Sequence, residues 1–276
     1  MTLAIMQGRL VPPIDGRIQC FPRERWRDEF ALAAAADLDA IEWIFDAFGR
    51  DVNPVSTDAG LQEMAALSAQ TGVSVRSVCA DYFMERPLVR AEDHELDDRV
   101  AILSWLLRRC ALLGAKRVVV PFVDASRINT DAELTSVAAI LGRVLTVLDE
   151  TGVELHLETA LAPEPFAKLL ARQPHPSVKV NYDSGNSASL GFRPRDEFAA
   201  YGARVGSVHI KDRVRGGTTV PLGDGDTDFE GLFGCLDDVA YQGDFVLQVA
   251  RGADGDELNW ARQNRSFLVA LETARV

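Results

Sequence analysis

The chain has 276 residues, 47% of them hydrophobic and 25% charged, a globular balance with enough length to bury a large core. Its formal net charge of −12 argues against nucleic acid and anionic membranes as partners, since such ligands are held by basic faces. Cys20, Cys79, Cys110 and Cys235 form no CxxC pair, so neither a zinc ribbon nor a disulfide framework is suggested, and the usage suits a reducing cytoplasm. No apolar run approaches transmembrane length, and MTLAIMQGRL lacks the basic start and long apolar stretch of a secretion signal; the expected location is cytoplasmic.

In chain order, β-rich runs alternate with helical segments. The expected strands are LAIM (3–6), DAIEWI (39–44), VSVRSVCA (73–80), KRVVVPF (116–122), VELHLE (153–158), VKVNYD (178–183), VGSVHIKD (205–212) and DFVLQV (244–249). Apolar residues at three-to-four spacing predict helices over about 24–36, 58–71, 95–113, 131–150, 163–172, 195–202, 229–240 and 257–272. Thr130-Asp131 and Asp228 supply start signals, because their side-chain oxygens can cap free helix amides. Eight strand-plus-helix units without a GxGxxG after the first strand predict one α/β domain over 1–276, a single (β/α)8 barrel rather than a doubly wound sheet. The longer connections, 7–23, 81–94 and 212–228, follow strands, which in a barrel places them at the catalytic rim.

Polar residues at the strand C-termini should converge there. They are Gln7 and Arg9, Glu42, Asp81, Asp124, Glu158, Asp183, His209 and Lys211, and Gln248 and Arg251. The consecutive set Glu158, Asp183, His209 and Gln248 offers carboxylate, imidazole and amide donors that could hold Mn²⁺, Mg²⁺, Co²⁺ or Zn²⁺ with positions left for substrate. Each acid taken alone reads equally as a cap for the next helix, and His209 as a hydrogen-bonded core histidine.

The ordered stretches HLETA, NYDSGN, VHIKD and PLGDGDTDF, with MQGRLVPPIDGRIQCFP and IEWIFD near the start, resemble the xylose-isomerase-like TIM-barrel superfamily of sugar isomerases and sugar-phosphate epimerases, whose members also include apurinic endonucleases. The resemblance implies Glu158, Asp183 and His209 as metal ligands and Glu158 also as the proton-transferring base. The family's fourth ligand, a glutamate, falls on Gln248, and this is a departure.

Isomerising a sugar requires removal of a proton next to a carbonyl, and a divalent ion chelating the carbonyl and hydroxyl oxygens stabilises the resulting enediolate. Epimerisation needs an acid/base group on each face of the carbon. An amide cannot exchange a proton at useful pH, so Gln248 leaves Glu158 as the family-matched base and favours one-face aldose–ketose isomerisation. Epimerisation would need Lys211 or His156, which share strand faces with His209 and Glu158; the alternatives are an ion pair for Lys211 and a lower barrel layer for His156. For substrate, a sugar or sugar phosphate, Gln7 and Arg9 could clamp hydroxyls and Trp43 could stack on a sugar face or cover the barrel mouth. The 213–226 loop with Arg213, together with Arg251, could cradle a phosphate. A keto-sugar lyase or hydratase shares the enediolate step, and a sugar-binding barrel without turnover is the non-catalytic alternative. An endonuclease is opposed by the acidic charge, by a total of four histidines, and by Asn186 where a further ligand would stand. A covered rim in such barrels makes a homo-oligomer an expectation as well.

Overall fold

The computed structural model describes residues 1–273. Eight parallel strands close into a barrel: β1 (Thr2–Met6), β2 (Ala40–Ile44), β3 (Ser74–Cys79), β4 (Arg117–Phe122), β5 (Glu154–Thr159), β6 (Val178–Asp183), β7 (Val205–Ile210) and β10 (Asp244–Leu247), with β10 pairing back onto β1. A two-stranded antiparallel ribbon, β8 (Asp212–Arg213) with β9 (Thr219–Val220), rises from the connection after β7. Helices lie between consecutive strands and surround the barrel, so each strand is covered outside and filled within. That is why runs such as RVVVPF of β4 are buried along their whole length.

Boundaries depart from expectation where local chemistry intervenes. The helix expected over 131–150 is two, Asp131–Gly142 and Leu145–Thr151, broken after Gly142, a residue with a high entropic cost of remaining helical. The first helix begins at Asp28 rather than near 24, because residues 23–27 form turns. An unexpected helix, Ser184–Leu190, starts directly after β6: Asp183 Oδ1 accepts from the Asn186 amide and caps it. Gly185 on its first turn allows close approach to the next connection, since a Cβ there would stand 2.7 Å from Lys211 Cγ.

The barrel interior carries a polar column beside aliphatic residues such as Val119 and Val246. At its N-terminal end Asp244 Oδ2 accepts from Arg117 Nη2 (2.6 Å) and Arg76 Nε (2.9 Å). Above that layer His156 Nδ1 meets Ser207 Oγ at 2.7 Å, Ser207 donates to Asn181 Oδ1 at 2.6 Å, and Asn181 donates to Glu158 at 3.2 Å. Each side chain in this column has at least one polar partner, with Arg117 Nε the atom left without a hydrogen bond among the described residues, and such pairing is the condition for burying it. Among the described residues no helix is long and apolar enough to cross a membrane.

Candidate active site

Strand alternation brings Glu158, Asp183 and His209 to one level, because β6 and β7 are in register with Asp183 beside His209. One ligand atom from each of these three residues lies within 4.8 Å of the others, and all three are buried. His209 Nε2 sits 2.6 Å from Glu42 Oε1, so a proton on Nε2 points at Glu42 and leaves the Nδ1 lone pair facing the other two acids. Nδ1 has no well-formed hydrogen bond among the described residues; Glu158 Oε2 is at 3.3 Å and Asp183 Oδ2 at 3.9 Å. A buried nitrogen with two carboxylate oxygens converging beside it is the environment a divalent cation fills. Burial pulls the His209 imidazole down, but the Glu42 and Glu158 carboxylates outweigh it and push it up to about 10, so a cation bound at Nδ1 would take the place of a second ring proton. Burial likewise opposes charge on Glu42, and the facing His209 holds its carboxyl below the usual range.

Glu158 is held from two sides: Asn181 Nδ2 donates to Oε2 at 3.2 Å and Asn186 Nδ2 to Oε1 at 2.7 Å. Asn186 Oδ1 in turn accepts from Arg213 Nη1 at 2.8 Å, so the amide orientation is set. Asp183 divides its work, Oδ1 capping the helix and Oδ2 facing His209 in the cluster, so capping does not take the second oxygen away from it. Lys211 Nζ lies 3.3 Å from Asp183 Oδ2 and 3.2 Å from Gln248 Oε1, bridging the two.

Above the cluster opens a cavity of about 500 Å³, lined among others by Gln19, Asp81, Glu158, Asn186, Lys211, Arg213 and Gln248. Arg213 is the substrate-binding candidate that reaches it, although its guanidinium also donates to Gly217 O at 2.7 Å. The other candidates are placed elsewhere. Trp43 points outward from β2 and is fully buried against Phe21, Trp26 and Phe30, its indole N–H on Asn53, so it neither stacks on a ligand nor covers the mouth. Gln7 is fully buried and accepts from the Ile44 amide. Arg9 donates to the carbonyls of Val249 and Ile18 and to Gln19; Arg251 donates to those of Ile18 and Val11. These hydrogen bonds tie down the loop after β1. His156 lies below the cavity, between Ser207 and Glu154, where burial lowers its imidazole to about 4.

The glycine-rich connection is also different from expectation. The amides of Gly223, Gly225 and Thr227 converge on the Asp212 carboxylate at 2.8, 3.0 and 3.1 Å, so the cradle that the sequence offers an external anion is filled from within. Two cavity residues carry more than sequence spacing indicated. Asp81 had a signal in its strand-end position; Gln19, in the middle of a loop, had none.

A closed eight-stranded barrel with a carboxylate–carboxylate–imidazole cluster at its C-terminal rim defines a class of TIM-barrel proteins whose site is built on β5, β6 and β7. The chain belongs to the xylose isomerase-like TIM-barrel family, whose model matches residues 30–271. Inosose dehydratase of Clostridium perfringens is 27% identical over 193 residues, covering 56% of this chain and 65% of the dehydratase, just under two thirds of its length. The Escherichia coli K12 protein named "Putative L-ribulose-5-phosphate 3-epimerase SgbU" is 22% identical over 239 residues, 81% of this chain and 83% of that one. The crystal structure of the IOLI protein with a zinc atom superposes with a TM-score of 0.78 at 15% identity, covering 98% of each chain.

Proposed function

We propose that this protein is a divalent-metal-dependent enzyme, one catalytic barrel, that moves a proton next to the carbonyl of a keto-sugar, with Glu158 as base. The observation that carries the reading is the buried His209 Nδ1, which among the described residues makes no well-formed hydrogen bond and has the Glu158 and Asp183 carboxylates converging beside it beneath an open cavity. Glu158, Asp183 and His209 would hold the ion; the Gln248 carbonyl oxygen would be a fourth donor once the Lys211 ammonium, now 3.2 Å from it and 3.3 Å from Asp183 Oδ2, gave way to the cation. Mn²⁺, Mg²⁺, Co²⁺ or Zn²⁺ in that position would draw charge from the substrate carbonyl and its neighbouring hydroxyl. The zinc in the IOLI structure supports a metal, and the epimerase and dehydratase relatives support sugar chemistry.

Glu158 is oriented for proton transfer by the Asn181 and Asn186 amides, which keep its oxygens from rotating away from the cavity. A base on one face shuttles a proton between neighbouring carbons, which is isomerisation; a partner on the other face converts the same first step to epimerisation. Loss of a hydroxide after that step would give dehydration, and release of water from the substrate distinguishes it.

An uncharged sugar fits this cavity better than its phosphate. Arg9 and Arg251 donate to loop carbonyls and the glycine-rich amides to Asp212; of the cations on the cavity wall, Lys211 is paired with Asp183 and Arg213 with Asn186 and Gly217, and Arg127 stands among Asp46, Asp81, Glu85 and Asp124. The test is solvent exchange: the Mn²⁺-loaded protein in D₂O should place deuterium in a ketose next to its carbonyl, and Glu158→Gln should lower that rate by about 10²–10⁴-fold. Equal rates in the variant and the parent would remove Glu158 from the role of base.

A further inference from the structure

Gln248 leaves the site without the second carboxylate, but a carboxyl enters the same cavity from β3. Asp81 follows that strand, and in the closed order only β4 separates β3 from β5, so Asp81 and Glu158 line the same cavity from two separate strands of the rim. Asp81 occupies the position before the short helix Tyr82–Glu85, yet its side chain makes no capping bond there. Its oxygens are instead used sideways: Oδ2 accepts from Gln19 Nε2 at 2.7 Å and Oδ1 from the Cys79 thiol at 3.2 Å.

Gln19 receives Arg9 Nη2 and Gln248 Nε2 on its one carbonyl oxygen, both at 3.1 Å, which fixes its amide so that the NH₂ group faces Asp81. Gln248 is fixed in the same sense, accepting from Lys211 Nζ and donating to Gln19. The result is a one-way chain of donors, Lys211 to Gln248 to Gln19 to Asp81. A carboxylate at 248 would have no proton to give, and the chain could not run in that direction. The amide at 248 and the acid at 81 therefore belong to one hydrogen-bonded arrangement.

Resting on the proposal that Glu158 is the base, we propose that Asp81 is the second acid/base of the site, serving the face of the substrate carbon that Glu158 does not reach, so that the enzyme inverts a carbon next to the carbonyl of an uncharged keto-sugar. In the forward step the C–H bond breaks, its proton goes to Glu158 and its electron pair to the carbon–carbon bond of the enediolate. In the second step that pair forms a new C–H bond on the opposite face with the proton of the Asp81 carboxyl, leaving Asp81 ionised and Glu158 protonated. The two then return to their starting states by exchange with water in the cavity, or the next molecule is inverted in the reverse sense. Burial pushes the Asp81 carboxyl up to about 6, with Asp46 and Glu158 adding to it against the Gln19 and Cys79 hydrogen bonds, and a carboxyl in that range can serve as acid and as base near neutral pH.

The experiment compares the Mn²⁺-loaded parent, Asp81→Asn, Asp81→Glu and Glu158→Gln in D₂O with D-fructose, D-tagatose, D-psicose and 3-ketoglucose, reading deuterium and configuration in each product by NMR. The expected result is inversion by the parent, and in Asp81→Asn a loss of inversion of about 10²-fold or more with exchange at the same carbon retained within about threefold. Asp81→Glu should recover part of the inversion, and Mn²⁺ affinity should be unchanged in both Asp81 variants, which a folding defect would not spare. Inversion by Asp81→Asn at the parent's rate overturns the proposal. Exchange by the parent without inversion overturns it too and leaves Glu158 as a one-face base. No exchange by the parent with any of the four sugars overturns the Glu158 reading and this proposal with it.

Discussion

Replacing Gln248 by glutamate would restore a third carboxylate to the rim and break the donor chain in the same stroke. In the parent, Gln248 Nε2 donates to Gln19 Oε1 at 3.1 Å, and Gln19 Nε2 donates to Asp81 Oδ2 at 2.7 Å. A carboxylate oxygen at 248 would face the Gln19 carbonyl across that 3.1 Å gap with no hydrogen between them. Turning the Gln19 amide over only moves the mismatch to Asp81 and leaves Arg9 Nη2 without its acceptor. One buried polar mismatch costs about 1–3 kcal/mol, and a single extra proton on the chain relieves it. With metal drawing on position 248 that proton resides on Asp81, whose titration should move up by about 1–2 pH units at 1.36 kcal/mol per unit. The added negative ligand should tighten Mn²⁺ on the order of tenfold. Calorimetric Mn²⁺ titration and carbon-13 NMR of the Asp81 carboxyl in Q248E read the two effects separately. Tighter metal with an unmoved Asp81 titration would refute the coupling through Gln19; unchanged metal affinity would take Gln248 out of the ligand set.

Two further outcomes are expected. Glu42→Gln keeps an acceptor for His209 Nε2 but removes the charge facing it at 2.6 Å, and Mn²⁺ affinity should fall about tenfold, the low end for a group that orients a metal ligand; no change in affinity would mean that the imidazole is held by its packing alone. Glu29 is buried under the loop after β1, accepts from the Gly8 amide, and is pushed by burial up to about 8 from the ordinary 4.5. A carboxyl with a raised folded-state pKa contributes its full stability below the unfolded value and loses it as pH rises towards the folded one. Chemical denaturation should therefore show stability falling between about pH 4.5 and 8, and Glu29→Gln should flatten that slope, by up to about 5 kcal/mol across the window. A parent curve flat over this range would contradict the buried neutral carboxyl.

The alternation of strands and helices was local information, carried by hydrophobic period, and it determined the barrel, the placement of long connections at the rim, and the strand-end positions of Glu158, Asp183 and His209. Side chains two apart on a strand share a face, so the residues flanking each acid indicated which way it points, and the common register of β6 and β7 did the rest. Trp43 shows where this fails: it neighbours Glu42 on β2 and so points to the opposite face, into the helix layer. Arg9, Arg251 and Gln248 lie at similarly plausible positions, yet two are consumed by loop carbonyls and the third enters the cavity, because their partners come from residues up to 240 positions away. The Gln19–Asp81 bond spans 62 positions, and the path of the loop after β1 that makes it follows from tertiary contacts rather than any local pattern. Sequence thus determined which groups stand at the rim; only the folded loops decided which of them remain free to meet a substrate, since a hydrogen bond already satisfied inside the protein is no longer available to a ligand.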